Sequence, residues 1–323
     1  MKILVTRKIP EAGLKLLKER FEVEINPHDR NMTKEEIIDA IKDKDGLLCL
    51  LSDPITAEVI DAAPNLKVIA NYAVGYNNID VQTATERGIM VCNTPGVLTE
   101  ATADLAWALL MAVSRRIVES DHYVRAGKFD GWAPMLHLGG DIYGRTLGVI
   151  GMGRIGTAVA RRGALGFNMK VLYTANSPKP EAEKEFGAKK VSLEELLRES
   201  DYVSINCSLT PETKYMIGAR ELRMMKKTAY LINTARGPVV DEKALVEALK
   251  EGIIAGAGLD VYENEPELTP GLAELDNVVL TAHIGSATSE TRTKMAIMNA
   301  EDIIAALKGR KPKNLVNPEV LTK

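Results

Sequence analysis

Short apolar runs bounded by polar turns alternate with segments of helical period from the first residues to Cys92, the rhythm of a parallel sheet covered by helices. The pattern predicts strands over Lys2–Thr6, Phe21–Ile25, Gly46–Leu50, Val68–Asn71 and Met90–Cys92. Helices are predicted over Ala12–Arg20, Lys34–Ile41 and Ala57–Ala62, the second led by Thr33 with Glu36 three residues later, a capping pattern. Two of these strands run into the polar turns Ser52-Asp53-Pro54 and Tyr72-Ala73-Val74-Gly75, so a ligand is expected at those carboxyl ends. Next, Thr99–Val113 reads as an alanine-rich helix that is apolar nearly all round. It must be buried on more than one side, as a domain connector or a subunit interface.

A second βα series begins at Thr146. Leu147, Val149 and Ile150 form a short apolar strand, Gly151-x-Gly153-x-x-Gly156 a tight turn, and Ile155, Val159 and Ala160 the start of a helical period. In such a turn Gly151 permits the bend, Gly153 lets the backbone approach a pyrophosphate and Gly156 lets the helix lie against the strand, with the unpaired helix N–H groups facing the anion. Further strands are predicted over Lys170–Tyr173, Tyr202–Asn206, Ala229–Thr234, Gly256–Leu259 and Val278–Leu280, followed by an amphipathic helix over Ser289–Leu307. The short tail Leu315-Val316-Asn317-Pro318 has no sheet of its own and is expected to return to the first one. The predicted fold class is therefore α/β with two doubly wound parallel-sheet domains: a discontinuous substrate domain over 1–98 plus 287–323, and a Rossmann dinucleotide domain over 99–286.

The dinucleotide fingerprint calls for an acid roughly 20 residues on, to hold the ribose 2′-hydroxyl of NAD. After Lys170–Tyr173 the chain instead offers Thr174-Ala175-Asn176-Ser177, with no carboxylate. A neutral tip removes the repulsion of a 2′-phosphate, so NADP is allowed, with Arg154 and Lys179 as candidate partners. The expectation leans to NADPH, and use of both dinucleotides stays open.

At 323 residues and 46% hydrophobic content the chain can bury two ordinary cores, and a net charge of −3 gives no argument for nucleic acid or an anionic membrane as partner. Neither a signal-peptide pattern nor an apolar run of membrane-spanning length is present, which points to a cytoplasmic protein. Cys49, Cys92 and Cys207 lie in or at the ends of apolar strand patterns, odd in number and scattered, which argues against a disulfide framework and against a metal site.

Three chemical candidates follow strands of the second series. Arg236, beside Gly237, carries a fixed fork suited to a carboxylate or an α-keto acid. Among Asp260, Glu263 and Glu265 spacing alone does not choose. His283 follows Val278-Val279-Leu280; paired with a carboxylate, it is the kind of proton donor that hydride transfer to a carbonyl requires.

Together these stretches resemble the D-2-hydroxyacid dehydrogenase family, and within it the glyoxylate/hydroxypyruvate reductases. The matching segments are Ala70–Asp80, Asn93-Thr94-Pro95, Gly148–Gly156, Asn233–Gly237, Gly258–Val261, Glu265-Pro266 and His283–Ser286, in order over nearly the whole length. The resemblance implies an active site in the cleft between the two domains and the reduction of a small 2-keto acid, glyoxylate or hydroxypyruvate, with hydride from nicotinamide C4 and a proton from His283. Arg236 would hold the substrate carboxylate and carbonyl, and Glu265 would hydrogen-bond His283 and keep it protonated. It further implies that the amides of Val74 and Gly75 hold the carboxylate, with Leu51 and Ser52 lining the pocket. Thr102, Gly151, Gly153, Arg154, Ile155, Gly156, Asn176, Pro211, Thr234 and Asp260 would touch the cofactor, Asp260 at its nicotinamide end. A homodimer is implied, built on the Thr99–Val113 helix, with Trp132 reaching a partner subunit's active site. Two departures stand out: Ala282 replaces the usual proline before the histidine, and Ala175-Asn176 replaces the residues that set cofactor choice. Two alternatives stay open. One is another 2-hydroxyacid dehydrogenase such as a 3-phosphoglycerate dehydrogenase, for which the Leu50–Asp53 loop lacks a cation. The other is a dinucleotide-sensing binding protein like the C-terminal-binding corepressors.

Overall fold

A computed structural model describes residues 1–322. The chain divides into two compact units, Met1–Leu98 with Ser286–Lys323, and Thr99–Gly285.

The first unit is built on five parallel strands, β1 (Lys2–Val5), β2 (Glu22–Ile25), β3 (Gly46–Cys49), β4 (Val68–Asn71) and β5 (Met90–Cys92), in the order β2-β1-β3-β4-β5. This is the flavodoxin-like doubly wound order, whose switch point lies between its first and third strands. The inner strands Gly46–Cys49 and Val68–Asn71 are buried at every residue, because helices cover both faces. One face packs Ile3, Val5, Val68 and Ala70 against Leu14, Leu17, Ala300 and Ile303. The other packs Leu47, Cys49 and Ile69 against Ile37, Ile41, Val59 and Ile60. The helix Lys34–Ile41 starts on the full capping box, Thr33 accepting from the Glu36 amide while Glu36 accepts from the Thr33 amide. The helix Ser289–Leu307 lies in this unit, and after it the tail pairs with β5: Val316 N–H donates to the Val91 carbonyl, and the Asn317 side chain accepts from the Val91 amide at 2.8 Å.

The second unit carries seven parallel strands: β6 (Thr146–Ile150), β7 (Lys170–Thr174), β8 (Lys189–Lys190), β9 (Tyr202–Ile205), β10 (Tyr230–Asn233), β11 (Gly256–Leu259) and β12 (Val278–Leu280). They run β12-β11-β10-β9-β6-β7-β8, the Rossmann order with one strand added, and its switch point lies between β6 and β9. There the Asn206 amide donates to the Ile150 carbonyl at 2.7 Å, which brings the end of β9 beside the glycine turn that follows β6.

The helix Thr99–Ser114 places Thr102, Ala103, Ala106, Trp107, Leu109, Leu110 and Val113 in the interior of this second unit, against β10, β11 and the helix Arg154–Phe167. Trp107 stacks on Phe167 with ring centroids 4.5 Å apart. Its apolar sides are thus buried inside the unit, as the all-round apolar pattern requires. Exposed apolar side chains collect instead just downstream, at Ile117, Val124, Phe129, Trp132, Met135, Leu138 and Tyr143. Among the described residues no helix is long and apolar enough to cross a membrane.

Candidate active site

Glu265 and His283 come from loops that follow neighbouring strands, β11 and β12, and meet with Glu265 Oε2 2.8 Å from His283 Nδ1. The other carboxylate oxygen, Oε1, accepts the Tyr262 amide at 3.1 Å, so the side chain is held from both ends. Burial pushes the Glu265 carboxyl up, but the hydrogen bond and charge of His283, the Tyr262 amide and Arg236 together bring it below its ordinary 4.5. An ionised carboxylate can only accept, so Nδ1 carries the proton in this pair and Nε2 is left for another partner.

His283 adopts a left-handed backbone with φ 52°, a strained conformation for a side-chain-bearing residue. Asp260, 1% exposed at the end of β11, supplies the hold on it. Its Oδ1 accepts the Ile284 amide at 2.7 Å and the Thr281 hydroxyl at 2.7 Å, and its Oδ2 accepts the Gly285 amide at 2.8 Å. Three of the roughly four acceptor positions of a carboxylate are thus filled by the segment carrying His283. Thr102 lies beside this segment: a Cβ at Gly285 would stand 3.4 Å from its side chain.

Arg236 follows β10, with its Nη1 donating to the Ala235 carbonyl at 2.7 Å. Burial pushes the guanidinium below its ordinary value and the Glu265 carboxylate opposes that shift, so the two groups are electrostatically close. The segment is fixed by Asn233, which donates to the Arg236 carbonyl at 3.0 Å and accepts the Ala235 amide at 3.0 Å.

The three glycines of the turn after β6 have distinct surroundings. Gly151 has φ 90°, and a Cβ there would meet the Cys207 amide nitrogen at 2.6 Å; a Cβ at Gly156 would overlap the Gly151 carbonyl oxygen. Gly153 is different: it caps the helix Arg154–Phe167 without a side-chain cap, and a Cβ there would meet nothing within 4 Å. The open space in front of uncapped helix N–H groups is the cradle a pyrophosphate needs. Thr234 agrees with it: its hydroxyl oxygen is buried without a hydrogen-bond partner, as an atom waiting for a ligand would be. The residues present therefore fit a dinucleotide. Arg154 and Asn176 are exposed and Ile155 is half-buried, while Pro211 lines a cavity of about 470 Å³ with Leu209, Tyr215 and Glu263. Beyond β7, Tyr173 donates to Glu183 at 2.6 Å and accepts the Lys179 amide, which shapes the turn around Ala175-Asn176.

In the first unit, Leu51 and Ser52 follow β3, and Val74 and Gly75 follow β4. The two loops are tied together. Asp53, 1% exposed, accepts the Leu50 amide at 2.7 Å and the Thr6 hydroxyl at 2.5 Å. Asn78 donates to the carbonyls of Leu50 and Asp53, and the buried Asn71 donates to the Gly75 carbonyl at 2.7 Å and to Asn78 at 3.1 Å. Asn93 donates to the Val74 carbonyl at 2.7 Å. Trp132, in the second unit, is 86% exposed.

Residues 107–285 match the family described as D-isomer specific 2-hydroxyacid dehydrogenase, NAD binding domain. A glyoxylate reductase of Thermococcus kodakarensis is 56% identical over 324 residues, covering 99% of this chain and 97% of that protein. The chain belongs to the D-isomer specific 2-hydroxyacid dehydrogenase family. Another relative, the glyoxylate reductase of Korarchaeum cryptofilum, is 57% identical over 99% of this chain and 97% of its own length. Among solved structures, an NADPH-dependent glyoxylate/hydroxypyruvate reductase from Sinorhizobium meliloti, in complex with NADP and malonate, superposes with a TM-score of 0.88 at 34% identity, covering 99% of this chain and 97% of that one.

Within this 2-hydroxyacid dehydrogenase fold, two of the groups singled out from sequence, Glu265 and His283, meet directly, and four polar side chains act as anchors, a role the sequence did not assign to them. Asp53, Asn71 and Asn78 shape the loops of the first unit, and Asp260 holds the histidine segment in addition to any contact with a cofactor. For two of them the signal was a polar residue at or directly after the end of a wholly buried strand: Asn71 closes β4 and Asp260 follows β11.

Proposed function

We propose that this protein reduces a small 2-keto acid, glyoxylate foremost and hydroxypyruvate next, to the 2-hydroxy acid with NADPH or NADH. The observation that carries the reading is the Glu265–His283 pair at 2.8 Å, with the Arg236 guanidinium electrostatically close to it. When bound, the reduced nicotinamide supplies the hydride. Arg236 holds the substrate carboxylate and carbonyl through its planar fork. His283 gives its Nε2 proton to the carbonyl oxygen as negative charge grows there, and Glu265 stabilises the charged imidazole through Nδ1. The Val74 and Gly75 amides and the side chains of Leu51 and Ser52 contribute substrate recognition from the first unit.

The dinucleotide lies on Gly151, Gly153 and Gly156, with Arg154, Ile155, Thr102, Pro211, Thr234 and Asp260 as its further contacts and Asn176 at the ribose. The preference is for NADPH, with NADH also used. Supporting this, the tip after β7 carries no carboxylate, and neither Arg154 nor Lys179 has an ion-pair partner among the described residues, which leaves both cations for a 2′-phosphate. The active form is a homodimer, supported by the exposed apolar side chains between Ile117 and Tyr143, and Trp132 serves the substrate site of the partner subunit.

Initial rates of NADPH and NADH oxidation against glyoxylate, hydroxypyruvate, pyruvate and 3-phosphohydroxypyruvate test this. Fast turnover of glyoxylate, with NADPH the better donor, is the expected result. Turnover confined to the phosphorylated acid, or none with any of the four, overturns the substrate assignment.

A further inference from the structure

Glu242 is a buried carboxylate with no part in the relay described above. It opens the helix Glu242–Lys250, is 2% exposed, and among the described residues no cation pairs with it. Burial pushes its pKa up. A carboxylate kept in such a place is expensive, and only its hydrogen bonds offset the loss of water. Both of its oxygens are engaged by neutral donors: Oε1 accepts the Glu263 amide at 2.6 Å, and Oε2 accepts the Thr269 hydroxyl at 2.7 Å. Those donors stand on either side of Glu265, two residues before it and four residues after it. One side chain therefore grips both ends of the loop that presents the relay carboxylate.

A second contact reinforces the grip. Gly237, next to Arg236, lies so close under Tyr262 and Glu263 that a Cβ would overlap the Tyr262 carbonyl. The run from Arg236 to Glu242 thus touches the Glu265 loop at two places, once through backbone packing and once through the Glu242 carboxylate. On the outer side of the loop Tyr215 donates to Glu263, so the Glu263 side chain is turned away from His283. A carboxylate suits this position because both groups facing it are donors; an amide presents only one acceptor oxygen.

We propose that Glu242 is a positioning residue for proton transfer, clamping the loop Glu263–Thr269 so that the Glu265 carboxylate stays on His283 Nδ1. The inference rests on the role given to Glu265 and His283 above. Displacing a catalytic group by about 1 Å costs on the order of 100-fold in rate. The E242A variant is therefore expected to lower kcat for glyoxylate reduction by roughly 10- to 100-fold, with KM for glyoxylate and Kd for the dinucleotide within about twofold of wild type. E242Q keeps an acceptor for the Glu263 amide and meets a Thr269 hydroxyl free to turn, so it restores most of the rate. Should E242A yield no folded enzyme, T269V removes one of the two donors from the same carboxylate and carries the same expectation, with T269S as the restoring variant.

Full kcat in E242A, while E265Q is slowed, overturns the clamp and leaves the relay standing. Equal losses in kcat, substrate affinity and dinucleotide affinity also overturn it, because they report a loosened domain. Full kcat in E265Q itself locates the failure in the relay reading instead.

Discussion

At the scale of single residues, the proposed chemistry rests on a short chain of dependence: Asp260 holds the strained His283 segment, Glu265 holds its Nδ1, and against the upward push of burial the His283 hydrogen bond and charge, then the Tyr262 amide and least of all Arg236, lower the Glu265 carboxyl. The pH dependence follows from that last shift. Glu265 starts from an ordinary 4.5 and is lowered in the folded protein, so it stays ionised, and the pair intact, at and above pH 4.5. The stability that the pair contributes is likewise present above 4.5 and lost as pH falls through the lower folded value. Reduction rates recorded through brief acid jumps are thus expected to show a limb below pH 4.5 in the wild type and no such limb in E265Q. A limb of unchanged position in E265Q contradicts the assignment. Which carboxylate serves the histidine was not legible from spacing, since Asp260, Glu263 and Glu265 all follow the same strand. The fold separates them by direction: Asp260 turns to the Ile284 and Gly285 amides, Glu263 to Tyr215, and Glu265 to His283.

At the scale of elements, the strands were readable because buried parallel strands are continuous apolar runs, as in Gly46–Cys49, Tyr202–Ile205 and Gly256–Leu259. Two elements carried no such signal. The strand Lys189–Lys190 is two exposed lysines at a sheet edge, and the helix Ile117–Arg125 buries none of its residues, so neither leaves a period in the sequence. The strand–turn–helix at Gly151–Gly156 was readable in full, and the geometry sharpens it into a prediction. Gly153 has φ −80° and ψ −163°, a backbone any residue can adopt, and free space where a Cβ would go. G153A should therefore leave the melting temperature unchanged or slightly raised, by at most about 1 kcal/mol of stability. The added methyl would stand where the pyrophosphate approaches, so the dinucleotide Kd should weaken by roughly tenfold or more, about 1.4 kcal/mol. Unaltered dinucleotide affinity in a folded G153A protein contradicts the role given to this turn.

At the scale of the whole molecule, the two strand orders place the candidate groups at the carboxyl ends of parallel strands, where α/β sheets bind ligands. The exposed apolar side chains between Ile117 and Tyr143 are the feature a lone chain leaves unexplained, and a second copy of the chain is the occupant proposed for them. Sedimentation equilibrium should report a particle of two chains at micromolar concentration. W132A, which removes the most exposed of these aromatic side chains, should raise KM for glyoxylate with little change in dinucleotide Kd. A monomeric wild type that reduces glyoxylate at full rate contradicts the dimer.

The most direct test of the account compares the wild type with H283A, measuring reduced-nicotinamide oxidation by glyoxylate alongside dinucleotide binding. Positioned proton transfer typically contributes about 10²- to 10⁴-fold. The account predicts that H283A loses turnover by a factor in that range while binding the dinucleotide as the wild type does. An H283A enzyme that reduces glyoxylate at the wild-type rate would contradict it.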